Sequence, residues 1–222
     1  SALPGGLGLD EAEQVYNYQA LRLGYGIQPP LYSWLQSLFF GVFGVNPFAL
    51  ALLKNLLLFA TYLLVYQVGR QLAGSGVAVT AAAALLLVPQ IGWESQRDLT
   101  HSVLLTACVA GILWTWLRLL EHPTTGRYAL LGLLFAAAFQ AKYSFAPLAA
   151  ALLATSLLDP ASRRLWRRGA WAAIAAGLLA SLPHGLWMLD RLPQLLAGTA
   201  VEIVGPMHRS AAAAGMPEGL WG

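Results

Sequence analysis

Charge is scarce in this chain: 10% of its 222 residues are Asp, Glu, Lys or Arg, against roughly 25% in an ordinary soluble domain. Water is therefore not its main solvent. A single cysteine, Cys108, excludes an intrachain disulfide, and within its apolar run it reads as a small buried residue. The formal net charge of +3 is small, and the basic residues cluster near the ends of apolar runs, so a nucleic-acid partner has no support. Strict apolar–polar alternation is missing, which excludes a transmembrane barrel. No repeat of fixed period is visible. The chain opens at Ser1 without a basic, apolar leader and stops at Gly222 in an Ala/Gly-rich stretch, and it is read as an internal piece of a longer protein.

What is present is hydrophobic length. Residues of apolar type make up 58% of the chain, in runs of about twenty that cross a hydrocarbon core about 30 Å thick at 1.5 Å per helical residue. Only helices then satisfy their own backbone in lipid. The predicted class is all-α membrane: a polytopic helical bundle with spanning or near-spanning helices over 48–68, 77–93, 101–120, 128–140, 145–158 and 171–189. Two short helices come first, an amphipathic one over 10–23 and an aromatic one over 31–43, separated by Gly24-Tyr25-Gly26 and Pro29-Pro30. Both are predicted to lie at the membrane surface. The expected organisation is a loop with juxtamembrane helices at 1–46, a six-helix membrane region at 47–190, and the start of a further loop at 191–222.

Lys and Arg counts at helix ends set the orientation. One set of ends carries Arg70, Arg118, Arg127, Arg163, Arg164, Arg167 and Arg168, and the other carries Arg97, Lys142 and Arg191 together with Asp10, Glu11, Glu13, Glu94, Asp98 and Asp190. The first set is predicted cytoplasmic. The acidic loop, the connection to His101, the bend at Lys142 and the end at His184 then share the outside face.

Asp10, Glu11 and Glu13 fall within one helical turn at a helix start, where the macrodipole favours negative charge. Alone, that is a solvated helix start. The continuation Gly24-Tyr25-Gly26-Ile27-Gln28-Pro29-Pro30-Leu31-Tyr32, then Asp98-Leu99-Thr100-His101-Ser102, Ala141-Lys142-Tyr143 and Leu182-Pro183-His184-Gly185-Leu186-Trp187, resembles the GT-C glycosyltransferases. The resemblance is to the bacterial relatives of protein O-mannosyltransferases and of the lipid A aminoarabinose transferase, and it covers nearly the whole chain. It implies a GT-C-like bundle in a bacterial-type inner membrane, with a polyprenyl-phosphate-linked sugar as donor. A hydroxyl acceptor of lipid, glycan or protein would be glycosylated with inversion on the extracytoplasmic side. By that resemblance Asp10 is the general base, and Glu11 orients it or holds acceptor or metal.

Lys142, at the outer end of a short hairpin, is the candidate for the donor phosphate, as an alternative to a lysine that merely snorkels. Gln28, the second candidate for the donor phosphate, stands where many relatives carry the basic member of an acidic-basic pair before the two prolines. This departure weakens a divalent metal, whose ligands stay unknown, and leaves phosphate binding more dependent on Lys142. Asp98 and His101, a turn apart, either face the same cavity as supporting residues or are a charge paired with Arg97 and a polar helix start. His184, after Pro183, either contacts donor or metal or bonds a carbonyl freed beside the proline. Lys54 either snorkels or pairs with a carboxylate. The competing reading is a membrane carrier or export component whose outer carboxylates bind a cation or solute. A carrier calls for charges near the midplane and repeated halves, whereas here they sit at the rim.

Overall fold

The computed structural model describes residues 8–25, 28–97 and 99–213, with no side-chain description at 97, 167, 168 and 193–213. The regular elements among the described residues are helices, and they follow from local chemistry. Helix α1, Leu9–Tyr18, begins with a Glu11 carboxylate accepting from the Gly8 amide at 3.2 Å. It ends five residues before the predicted limit, and the chain then crosses to Pro30 with the Trp34 indole donating to the Arg22 carbonyl at 2.7 Å. Helix α2 spans Leu31–Phe43, as the aromatic pattern predicts, and stops at Gly44, whose φ of 78° suits glycine.

Helix α3, Pro47–Ala73, starts where the Asn46 side chain accepts from the Ala49 amide at 2.9 Å with proline at the first position, and ends at Gly74 with φ 86°. Helix α4, Ser75–Ala84, returns along it. A Cβ on Gly69 would stand 2.8 Å from the Ala78 Cα, so the two helices meet backbone to backbone, as small residues allow in lipid. The predicted helix over 77–93 is broken. A 3₁₀ turn at Leu85–Leu87 leads to Pro89 and a π-helical turn at Gln90–Glu94, because proline removes a donor and the chain re-pairs around it. The one-turn helix α5, Ser95–Arg97, follows.

Helix α6, His101–Glu121, is packed on both sides, against α3 and against α7, Thr125–Ala141. The short turn between α6 and α7 is closed by the Thr124 hydroxyl accepting from the Arg127 amide at 3.4 Å, and by the Arg127 guanidinium donating to the Arg118 carbonyl at 3.3 Å. After a 3₁₀ turn at Tyr143–Phe145, helix α8, Ala146–Leu158, meets α9, Pro160–Arg168, at a 100° bend. The bend is set by Asp159, whose carboxylate accepts from the Ser162 amide at 2.7 Å. Helix α10 covers Ala170–Ala213.

Among the described residues three helices are long and apolar enough to span a membrane, α3, α6 and Ala170–Leu192 within α10; α8 and α9 reach that length and apolarity only together, as a bent pair. The core runs from Tyr32 through Leu104, Cys108, Ile112 and Leu119 to Tyr128 and Leu165. Large apolar side chains such as Phe59, Leu178 and Leu182 remain exposed, the expected outer surface of a bundle whose solvent is lipid. The chain forms two compact units, residues 1–184 and residues 185–222. In the second, Arg191 stands over the Trp187 ring at 5.9 Å and 3.8 Å from the Asp190 carboxylate.

Candidate active site

The start of α6 gathers the polar chemistry of the first unit. The Thr100 amide and hydroxyl both donate to Asp10 Oδ2, at 3.1 and 3.2 Å. One residue on, His101 Nδ1 bonds the Ala141 carbonyl at 3.2 Å; since a carbonyl only accepts, Nδ1 carries the proton. One further, the Ser102 hydroxyl accepts from Lys142 Nζ at 3.0 Å. Three consecutive residues thus hold α1, the end of α7 and the Lys142 bend together.

Two more ties fix α1. Lys54 Nζ donates to Glu11 Oε1 at 3.1 Å, with the lysine side chain 3% exposed and the glutamate 20%. Of the two readings for Lys54, pairing with a carboxylate is the one observed. The Ser33 hydroxyl donates to Gln14 Oε1 at 2.8 Å and accepts from Asn17 Nδ2 at 3.1 Å, buried between α1 and α2. Asp10 therefore projects from a helix anchored at both ends. Burial first, then the field of Asp10, pushes the Glu13 carboxyl above its ordinary 4.5. Its contribution favours the fold below that value and is lost as pH rises through the raised one.

The Tyr32 ring lies 5.6 Å from the His101 ring, and the hydroxyl is held neutral by burial and then by the fields of Glu11 and Asp10. Tyr32 Oη and His101 Nε2 are buried without a hydrogen-bond partner among the described residues. His184 Nδ1 donates to the Leu23 carbonyl at 2.7 Å, so its Nε2 accepts from the Tyr143 hydroxyl at 2.9 Å. The carbonyl it engages belongs to the α1–α2 connection and not to the turn before Pro183. Gln28 pairs its backbone with Tyr25, and no side-chain bond to the cluster is present among the described residues. Asp98 lies outside the described residues.

The structure thus joins Asp10, Glu11, His101, Lys142 and His184 at one end of the bundle. Thr100, Ser102, Tyr32 and Ser33 complete the arrangement, and sequence reasoning did not single them out. Thr100 and Ser102 flank His101 in a motif already recognised, and that adjacency was the available signal. Among the described residues no three His, Cys, Asp or Glu side chains converge as a metal would require, and Glu11 is committed to Lys54.

The family model for dolichyl-phosphate-mannose-protein mannosyltransferase matches residues 27–187. The lipopolysaccharide core galacturonosyltransferase RgtB of Rhizobium johnstonii is 41% identical over 87% of this chain and 40% of its own length. The lipopolysaccharide core galacturonosyltransferase RgtA of the same organism is 37% identical over 90% of this chain and 41% of its own. This chain spans about two fifths of the length of these relatives. Among solved structures, ArnT from Cupriavidus metallidurans bound to undecaprenyl phosphate superimposes with a TM-score of 0.68 at 17% identity, covering 85% of this chain and 38% of that one. At that identity the likeness shows the fold, and it is the GT-C-like membrane bundle expected from the motifs. The chain belongs to the dolichyl-phosphate-mannose-protein mannosyltransferase family.

Proposed function

We propose that the full-length protein is a membrane glycosyltransferase that moves a sugar from a polyprenyl-phosphate donor to a hydroxyl acceptor on the extracytoplasmic face of a bacterial-type inner membrane. One observation carries this reading: α6 holds a carboxylate, Asp10, and an ammonium, Lys142, from Thr100 and Ser102, two residues apart on one helix start. Glycosyl transfer from a phosphate needs those two charges in one place. Asp10 takes the proton of the acceptor hydroxyl while that oxygen bonds to the anomeric carbon. The bond from that carbon to the phosphate oxygen breaks, and the oxygen leaves with the electron pair toward Lys142. Attack opposite the leaving group inverts the anomeric centre. The relatives' names make galacturonic acid the proposed sugar and the lipopolysaccharide core the proposed acceptor.

Thr100 gives Asp10 a fixed orientation. Lys54 and Glu11 act through it as positioning residues, holding α1 against α3. His184 and Tyr143 tie the bend carrying Lys142 to the connection between α1 and α2. Gln28, with its backbone paired to Tyr25, is the second residue proposed at the donor phosphate; being neutral, it leaves the phosphate charge more dependent on Lys142.

The experiment is donor binding by the full-length protein. Lys142→Ala removes a charge-assisted contact and is expected to weaken binding of polyprenyl-phosphate galacturonic acid by about tenfold, with a smaller effect on turnover of the bound donor. Unchanged donor affinity would return Lys142 to a snorkelling role.

Sidedness has its own test. In a Cys108→Ala background, single cysteines at Leu9 and Arg191 are expected to react from outside with a membrane-impermeant thiol reagent, and one at Arg164 is not. Leu9 is 85% exposed, so access to it is not limited by packing. The reverse pattern would put the proposed site on the cytoplasmic face.

A further inference from the structure

An apolar groove of about 350 Å³ runs beside α7 and α10, within the ~300–1,000 Å³ of pockets that hold small ligands. Phe135 and Phe139 of α7 face Ile174 and Leu178 of α10 across it. Glycine brings its two walls together: a Cβ on Gly132 would stand 1.9 Å from the Ala173 carbonyl oxygen, and one on Gly177 would stand 3.2 Å from the Gly132 oxygen, so α7 and α10 meet backbone to backbone. One end is closed by Leu165 and Trp166 of α9, and both are pinned. The Tyr128 hydroxyl donates to the Leu165 carbonyl at 2.9 Å, and the Trp166 indole donates to the Ser156 hydroxyl at 3.0 Å.

The same nine-residue helix carries four arginines, at 163, 164, 167 and 168. Arg163 and Arg164 are exposed and make no close ion pair among the described residues; the one carboxylate whose field reaches Arg163 is Asp159 at the start of α9, so the described charge of this helix end stays positive. Arg163 is three positions before Trp166, hence its neighbour on the helix surface. An apolar slot that ends at a cationic amphipathic helix has the two halves of a membrane lipid's chemistry.

We infer that this groove binds an anionic phospholipid, with an acyl chain along α7 and α10 and its phosphate on Arg163 and Arg164. Charge complementarity decides the occupant. A helix from elsewhere in the full-length chain would fill the groove without using the arginines, and a zwitterionic lipid would use them less. A polyprenyl phosphate belongs elsewhere, since the proposed donor phosphate is at Lys142, the opposite end of α7 from Tyr128 and α9. The site is independent of the proposed reaction.

The test is native mass spectrometry of the purified full-length protein offered an equimolar mixture of phosphatidylglycerol and phosphatidylcholine. Phosphatidylglycerol adducts are expected to exceed phosphatidylcholine adducts by about tenfold, given two or more basic residues beside an anionic headgroup. Arg163→Gln with Arg164→Gln changes only exposed side chains and is expected to erase the preference. Ile174→Trp, at a 52% exposed position, fills the groove and is expected to lose the adduct with the arginines intact. Equal retention of the two lipids by the wild type, retention indifferent to Ile174→Trp, or displacement of phosphatidylglycerol by polyprenyl phosphate would overturn the assignment.

Discussion

Asp10→Asn in the full-length protein is expected to lower turnover by about two orders of magnitude or more, with donor binding changed far less. Asparagine keeps the shape and can still accept from Thr100, so the α1–α6 contact at 3.1 and 3.2 Å survives. What it lacks is basicity, and general-base catalysis contributes roughly 10²–10⁴-fold. The comparison is single-turnover transfer against donor affinity on the same preparation. A variant that turns over like wild type would remove Asp10 from the chemistry and leave it as a helix-start charge.

Glu11→Gln is expected to destabilise the protein by about 3–5 kcal/mol, because it removes the negative charge that offsets a 3% exposed ammonium and leaves it only a neutral amide oxygen. The opposite deletion, Lys54→Met, leaves a carboxylate that is 20% exposed and still accepts from the Gly8 amide, so the loss of stability is smaller. Its effect should fall on turnover at an unchanged donor KM, since α1 loses its tie to α3 and Asp10 moves with it. Exchanging the pair, Glu11→Lys with Lys54→Glu, is expected to recover part of both, and the lost Gly8 contact accounts for the rest. Thermal unfolding and steady-state kinetics of the four proteins check this. An exchange no better than Glu11→Gln alone would deny the ion pair its positioning role.

Local chemistry was legible where one segment determines its own outcome. The aromatic run of α2 and the Asn46-Pro47 start of α3 are readable because capping and periodicity act over a few residues. The break near Pro89 was not. An apolar run scores as a helix whether or not its proline is accommodated, and here the chain re-pairs through a π-helical turn. The site divides in the same way. Asp10, Lys142 and His184 were visible as ionisable residues at the rim of a membrane bundle, but the partner of each comes from a distant segment. Thr100 meets Asp10, Ser102 meets Lys142, Leu23 meets His184 and Lys54 meets Glu11. No pattern within one helix encodes such pairings, and with one sequence they appear only when the bundle is assembled.

The most direct test of the central claim, that this fold moves a sugar off a polyprenyl phosphate, is mass analysis of polyprenyl phosphates in membranes where the full-length protein is replaced by Asp10→Asn. Sugar-charged polyprenyl phosphate is expected to accumulate while the same sugar disappears from the acceptor. An unchanged pool of charged carrier, with the sugar still on its acceptor, would contradict it.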